Sequence, residues 1–338
     1  MMDVDNMPSL SLVADEPVNE GCCVSPLKRS MDDSVFDHLN YKRQRQTDID
    51  DTSSDASTDR NEEDAYLDIV FLNKDLDYLK KIQRLNPEFD PHNKFVNYRY
   101  NTIHYMSGVC RSLALKSLTL HRAVNYLDRL MGSDDFPTSL HRLAASACVL
   151  VAAKFEEHPS KVPRVDQVME MITGIGSKDQ LLAAEKLLLQ KLNWNASCAT
   201  HLHFSHCFMH HGVSHHCDTR HGRPLSPENI IRITSLMERI ATGVCLPDYS
   251  FVQHDQALVA SAGLAAARSM VGVDEVWPRQ LASRTGYSME EIKVCVQQIL
   301  LQQDRLCIPR FTSLDRDVLE KNLSSSPKCV ALVSESWD

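Results

Sequence analysis

LAASACVLVAAKFEE (Leu143–Glu157) decides the fold. Its first eleven residues, Leu143 to Ala153, are apolar or small, and a lysine, an aromatic and two acids follow directly. A run this short falls well below the roughly 20 residues needed to cross a bilayer. It reads instead as a helix buried among other helices, because Ala, Ser and Cys side chains let neighbouring backbones approach closely. The pattern returns: LAASA at Leu143–Ala147 is echoed by LVASA at Leu258–Ala262, which opens a second small-residue helix. Each half also carries a capping box, Ser177-Lys-Asp-Gln180 before LLAAEKLLL and Ser288-Met-Glu-Glu291 before IKVCVQQIL. In that motif a Ser side chain and a Gln or Glu three residues on satisfy the first free N–H groups of a helix. Ser226-Pro227 adds an N-cap with proline in the first turn. The simplest architecture is all-α, with two similar five-helix bundles in tandem, whose loops differ because the two repeats are offset by 115 and 111 residues.

Working outward, TLHRAVNYLDRLM (Thr119–Met131) places Leu120, Ala123, Val124, Leu127, Leu130 and Met131 on one helical stripe, and Gly132 stops it. Ile69, Leu72, Leu76, Leu79 and Ile82 predict an N-terminal helix over about 66–85, ended by Asn86-Pro87. Ahead of it, residues 1–65 hold sixteen acidic and six basic residues, net −10, while the remaining chain is +1. DIDDTSSDASTDRNEED (Asp48–Asp64) has too little apolar surface to offset chain entropy, so a disordered acidic tail is expected. The expected division is tail 1–65, helix and linker 66–92, first bundle 93–205, His-rich linker 206–225, second bundle 226–305 and tail 306–338.

Composition narrows the function. The chain has 338 residues, 43% of them hydrophobic, enough for two cores. Eleven scattered cysteines without C-x-x-C or disulfide spacing suit a reducing compartment. The start MMDVDNMPSL lacks a signal-peptide core, and a soluble intracellular chain with no membrane partner is expected. A near-neutral ordered region is a poor general nucleic-acid binder. With eleven glycines, no phosphate-cradling loop and no nucleophile–base arrangement, there is no reason to expect an enzyme or a cofactor.

Two intervals then carry a resemblance. Glu185 follows Lys154 by thirty-one residues, and Asp128 follows Arg99 by twenty-nine. With the LAASACVLVAAKFEE helix, these match the pattern of A-type cyclins, and from about Phe95 to Gln303 the chain resembles the cyclin family. VPRVDQVMEM (Val162–Met171), LLLQKLNWNASCATHLHF (Leu187–Phe204), DYSFVQHDQALVASA (Asp248–Ala262) and WPRQLASRTGYSMEEI (Trp277–Ile292) are most similar to J-type cyclins. The resemblance implies two cyclin-fold bundles that bind and activate a cyclin-dependent kinase of the cell-cycle type. By it, Lys154 donates to backbone carbonyls before the mobile kinase helix, Glu185 accepts from amides there, and Val151, Phe155, Leu189 and Trp194 form the apolar groove. Trp194 stands where an A-type cyclin has phenylalanine. Arg99 and Asp128 are implied as an internal salt bridge between the first two helices. The substrate-docking patch departs from the family: Tyr98-Arg99-Tyr100-Asn101-Thr102 and Tyr105 keep only the arginine, which predicts a weakened groove for R-x-L peptides. A cyclin-fold scaffold without a kinase and a transcription-factor-IIB-like binding module stay open as alternatives.

Further signals lie outside the bundles. Lys28-Arg29 and Lys42-Arg43-Gln44-Arg45, twelve residues apart, match a bipartite import signal, so a nuclear import receptor and a nuclear location are expected. Ser25-Pro26-Leu27-Lys28 is a candidate phosphosite, where phosphate would set about −1.5 to −2 charge beside the basic pair. Residues 1–65 contain no R-x-x-L degradation signal, no KEN occurs in the chain, and Arg316-Asp-Val-Leu319 is a weak degradation signal at best. HLHFSHCFMHHGVSHHCDTRH (His201–His221) holds eight histidines, and His206 with His210, or Cys207 with His211, have zinc-ligand spacing. The favoured reading is a surface-lying end of the first bundle, and no metal site is assigned.

Overall fold

The computed structural model describes residues 72–83, 94–132, 140–172, 177–215 and 217–303. The expected acidic tail, import signal, Ser25 and the C-terminal tail lie outside these residues. Residues 72–83 form helix α1. Ten helices follow: α2 (Val96–Ser112), α3 (Ser117–Met131), α4 (His141–Glu156), α5 (Val165–Met171), α6 (Lys178–Lys191), α7 (His201–His211), α8 (Pro227–Ile240), α9 (Gln256–Val271), α10 (Arg279–Thr285) and α11 (Met289–Leu301). Among the described residues the one sheet is a two-residue antiparallel hairpin, β1 (Thr219–Arg220) with β2 (Arg223–Pro224).

The two small-residue helices sit at the centres of the two bundles. In α4 every residue from Leu143 to Ala153 is buried, and the helix packs against α2, α3, α5 and α6. In α9 all but one of the residues from Ala257 to Ala267 are buried, against α7, α8 and α11. Capping follows the local sequence. Ser177 N donates to Gln180 Oε1 at 2.9 Å, and Ser288 N donates to Glu291 Oε2 at 2.7 Å. The return bonds from the Gln180 and Glu291 amides complete both boxes. Helices α9 and α10 end on Gly272 and Gly286, whose φ angles of 82° and 81° favour glycine.

Helix α7 corrects the expected domain division. Its Phe204 and Phe208, one turn apart, enter the second core with residues of α8, α9 and α11. The first bundle therefore ends before His201, and five helices fall to each side once α7 opens the second. The reading of surface imidazoles is also corrected, because His201 and His203 are buried. Both have partners: His201 Nε2 lies 3.0 Å from the Ala241 carbonyl, and His203 Nδ1 lies 2.8 Å from Thr200 Oγ1. Helix α1, first in sequence, also belongs to this core, through Leu72, Leu76, Leu79 and Ile82.

Each bundle contains a buried Arg–Asp fork. In the second, fully buried Arg268 holds Asp218 through bonds of 2.6 and 2.9 Å and also donates to the carbonyls of Val213, Glu275 and Val276. This anchors the segment leading into the hairpin, whose turn is held by Asp274 accepting from His221 N, Gly222 N and Thr219 Oγ1.

Candidate functional site

The end of α4 and the face of α6 meet at one surface. Lys154 closes the last turn of α4 with a side chain 47% exposed, and its Nζ donates to Glu185 of α6. Leu182, Glu185 and Leu189 recur at three- and four-residue steps and so line one face of α6. Leu182 is exposed, Glu185 and Leu189 are half-buried, and Leu189 packs on the first core. Leu182 was missed in the sequence reading, although its spacing from Glu185 signalled it. Phe155 is 41% exposed, with the Arg122 guanidinium 4.1 Å from its ring centre. Trp194 follows the C-terminus of α6, where Asn193 and Trp194 have φ of 50° and 59°. That left-handed backbone is costly for a bulky residue, and it presents an indole 70% exposed. Val151 differs from its expected place in an open groove. It is 5% exposed and belongs to the first core, because it lies one turn nearer the middle of α4 than Phe155.

The two acids after Phe155 face inward, which spacing did not reveal. Glu156 Oε1 accepts from Arg122 Nε at 2.5 Å and lies 3.7 Å from His203 Nε2. Burial alone would raise this carboxyl, but the neighbouring His203 ring and the Arg122 charge outweigh it and hold Glu156 at about 2. Arg122 also donates to the Ala196 carbonyl at 2.9 Å, so the ring of Phe155 rests on a guanidinium fixed from below. Glu157 is buried and accepts from Lys116 N at 2.8 Å and Thr119 Oγ1 at 2.6 Å, thereby capping α3.

Arg99 and Asp128 join α2 to α3 through a fork of 2.8 and 2.9 Å. Arg99 also donates to the carbonyls of Leu246 and Pro247 at 3.0 and 3.1 Å. These follow the π-helical turn Ala241–Cys245 that continues α8. The arginine therefore ties the first bundle to the second, beyond the role expected of it. On the neighbouring stretch, Tyr98 and Tyr100 are exposed, whereas Thr102 is buried and returns its hydroxyl to the Tyr98 carbonyl. Tyr105 hydroxyl lies 2.8 Å from Ser146 Oγ. Among the described residues, no helix is long and apolar enough to cross a membrane.

Two family descriptions match consecutive stretches: the cyclin N-terminal domain over residues 71–197 and the cyclin C-terminal domain over 199–336. The chain belongs to the cyclin family. The change from one cyclin domain to the next falls just before α7, in agreement with the packing of Phe204 and Phe208. Cyclin-J of Xenopus laevis is 30% identical over 192 residues, 54% of this chain and 49% of that protein. The Cyclin-J-like protein of Mus musculus is 28% identical over 236 residues, covering 65% and 59%. Human Cyclin-A1 is 27% identical over 232 residues, covering 68% and 45%. The chain thus spans about half the length of the curated relatives it matches. Among solved structures, a viral cyclin from herpesvirus saimiri is similar in fold, with a TM-score of 0.52 at 15% identity, covering 72% of this chain and 96% of that one. A chain of the yeast RNA Pol II CTD kinase CTDK-1 complex gives a TM-score of 0.50 at 12% identity, covering 74% and 81%.

Proposed function

We propose that this cyclin is a non-catalytic regulatory subunit that binds and activates a cyclin-dependent serine/threonine kinase of the cell-cycle type. The observation that carries this reading is the meeting of Lys154 and Glu185, with Phe155 next to the first in sequence, Leu182 one turn from the second on α6, and Trp194 just past the end of α6, all three exposed. Lysine offers only donors and an ionised glutamate only acceptors. Together they can read carbonyls and amides of one extended backbone in a single register. In the chain alone the two satisfy one another; a partner's backbone takes over both, while the exposed rings cover apolar surface beside it. A protein kinase is competent only when the lysine of its third strand reaches a glutamate on its mobile helix. Lodging that helix against Phe155 and Trp194 would hold it inward. The similar yeast chain comes from a kinase complex, which supports the same direction. The import signal and Ser25 fit a nuclear regulator fed back on by its own kinase. A Ser25→Ala variant is expected to change localisation or turnover, and no change in either would remove that part of the proposal.

The deciding experiment is a pull-down from dividing cells with wild type and a Lys154→Ala/Glu185→Ala double variant, followed by mass spectrometry and a histone kinase assay. Wild type should bring down active kinase. The variant, shown to be folded by circular dichroism, should lose it, because truncating one partner of a desolvated charged contact costs about 2–5 kcal/mol of affinity. Absence of kinase with either protein sinks the reading and leaves a cyclin-fold scaffold; retention on DNA would favour the transcription-factor-IIB-like use.

A further inference from the structure

Helix α1 carries an acid where its buried stripe calls for an apolar residue. Leu72, Leu76, Leu79 and Ile82 face the second core, and Asp75 falls between them at the i+3 position from Leu72. Opposite it, Cys207 and His211 stand one turn apart on α7. The ligand atoms of Asp75, Cys207 and His211 all lie within 4.8 Å of one another, the one such triad among the described residues. His211 Nε2 and Asp75 Oδ2 are 3.2 Å apart. The corresponding edge of a tetrahedron with metal–ligand bonds of about 2.0–2.1 Å is about 3.3 Å, so these two atoms already have the separation that a shared ion requires.

We propose that Asp75, Cys207 and His211 form a zinc-type metal site that pins α1 to the second bundle. The donor set selects the ion. A thiolate, an imidazole and a carboxylate suit Zn²⁺ or Co²⁺, whereas Mg²⁺ and Ca²⁺ take oxygen ligands. The Cys207 thiol gives its proton to solvent on binding, and the thiolate and the Asp75 carboxylate then balance the two positive charges of the ion. Three protein ligands leave the fourth position to water. The apolar stripe docks α1 without the ion; the metal adds a coordinate link between the two helices. The pairing of His206 with His210 plays no part, since His206 lies near Glu238 and the buried His203.

The test uses the full 338-residue chain, reduced, stripped of metal and titrated with Co²⁺. One equivalent should bind with a thiolate-to-cobalt charge-transfer band in the near ultraviolet and the visible bands of a tetrahedral ion, and Zn²⁺ should displace it. Cys207→Ser should abolish the charge-transfer band, and Asp75→Asn should weaken binding by at least roughly tenfold. A His206→Ala/His210→Ala variant should bind as wild type does. Zn²⁺ should raise the unfolding temperature of wild type and leave that of Cys207→Ser unchanged. Circular dichroism of each variant separates loss of the site from loss of the fold. A charge-transfer band that survives Cys207→Ser, or no band with a folded wild type, overturns the proposal.

Discussion

Arg99 brings five N–H donors to a position only 2% exposed, and the structure gives them an acid and two carbonyls to meet. A buried ion pair adds little net stability compared with well-packed apolar residues, but breaking it from one side strands the other charge. Arg99→Ala should therefore cost about 3–5 kcal/mol, seen as a lower urea midpoint, and an Arg99→Met/Asp128→Leu double variant should recover most of that loss. Equal losses in the single and double variants would show that the carbonyl contacts to Leu246 and Pro247 matter more than the fork. Arg99→Lys should not rescue, since an ammonium cannot reproduce the planar fork. The twenty-nine-residue interval made the Arg99–Asp128 partnership legible through its resemblance to a family pattern. The carbonyls 147 and 148 residues downstream were not legible, because any residue supplies a carbonyl and only the fold says which one arrives. Glu156 and Glu157 were opaque for a related reason: adjacent acids look like a solvated helix end until Arg122 and Thr119 are placed beneath them.

At the scale of elements, what was legible was local. Capping boxes at Ser177 and Ser288 and the small-residue helices α4 and α9 announce themselves within a few residues, and the structure forms them there. Helix α7 is the element whose place the local sequence does not reveal: a run of histidines reads as a surface-lying end of the first bundle, whereas the helix packs into the second core. Neutral imidazoles with hydrogen-bond partners can be buried, and the signal that mattered was the Phe204/Phe208 stripe. The same core takes in α1, so an element at the front of the first matched cyclin domain supports the second bundle. Leu79, 2% exposed, tests this. Leu79→Ala should destabilise the chain by about 2–5 kcal/mol, and amide hydrogen exchange should accelerate in α7 and α9 before it does in α3 and α4. Faster exchange in α3 and α4 first would mean that α1 belongs energetically to the first bundle.

Across the whole molecule, the junction of the bundles is a cluster of imidazoles. His121 of α3 and His201 of α7 meet edge to face with ring centres 4.9 Å apart, and His121 Nε2 lies 3.1 Å from Thr242 Oγ1 beyond α8. Burial lowers the pKa of His121, His201, His203 and His206, and for His121 the positive charge its neighbours would carry lowers it further. Glu156, Arg122, Glu238 and, for His201, Arg99 are charged groups that act on them. A base depressed in the folded state binds its proton more readily when unfolded, so its contribution to stability is complete above the unfolded value of 6.5 and is lost as pH falls below it. Glu156 acts in a lower window: with a folded value of about 2 against 4.5, its contribution is present above 4.5 and is lost between there and about 2. Its full size is about 3 kcal/mol, shared with Arg122 and His203. Unfolding free energy should thus decline in two stages on acidification, the first beginning near pH 6.5 and the second below 4.5. His121→Gln, which keeps an amide for Thr242 and cannot titrate, should flatten the first stage by up to about 1.4 kcal/mol per pH unit and leave the second intact. Urea melts of wild type and variant at half-unit steps from pH 8 to 3 measure both stages. A wild-type curve level from pH 8 to 5 would mean that the imidazoles take up protons in the fold as readily as in the unfolded chain, and that burial at this contact does not hold them neutral.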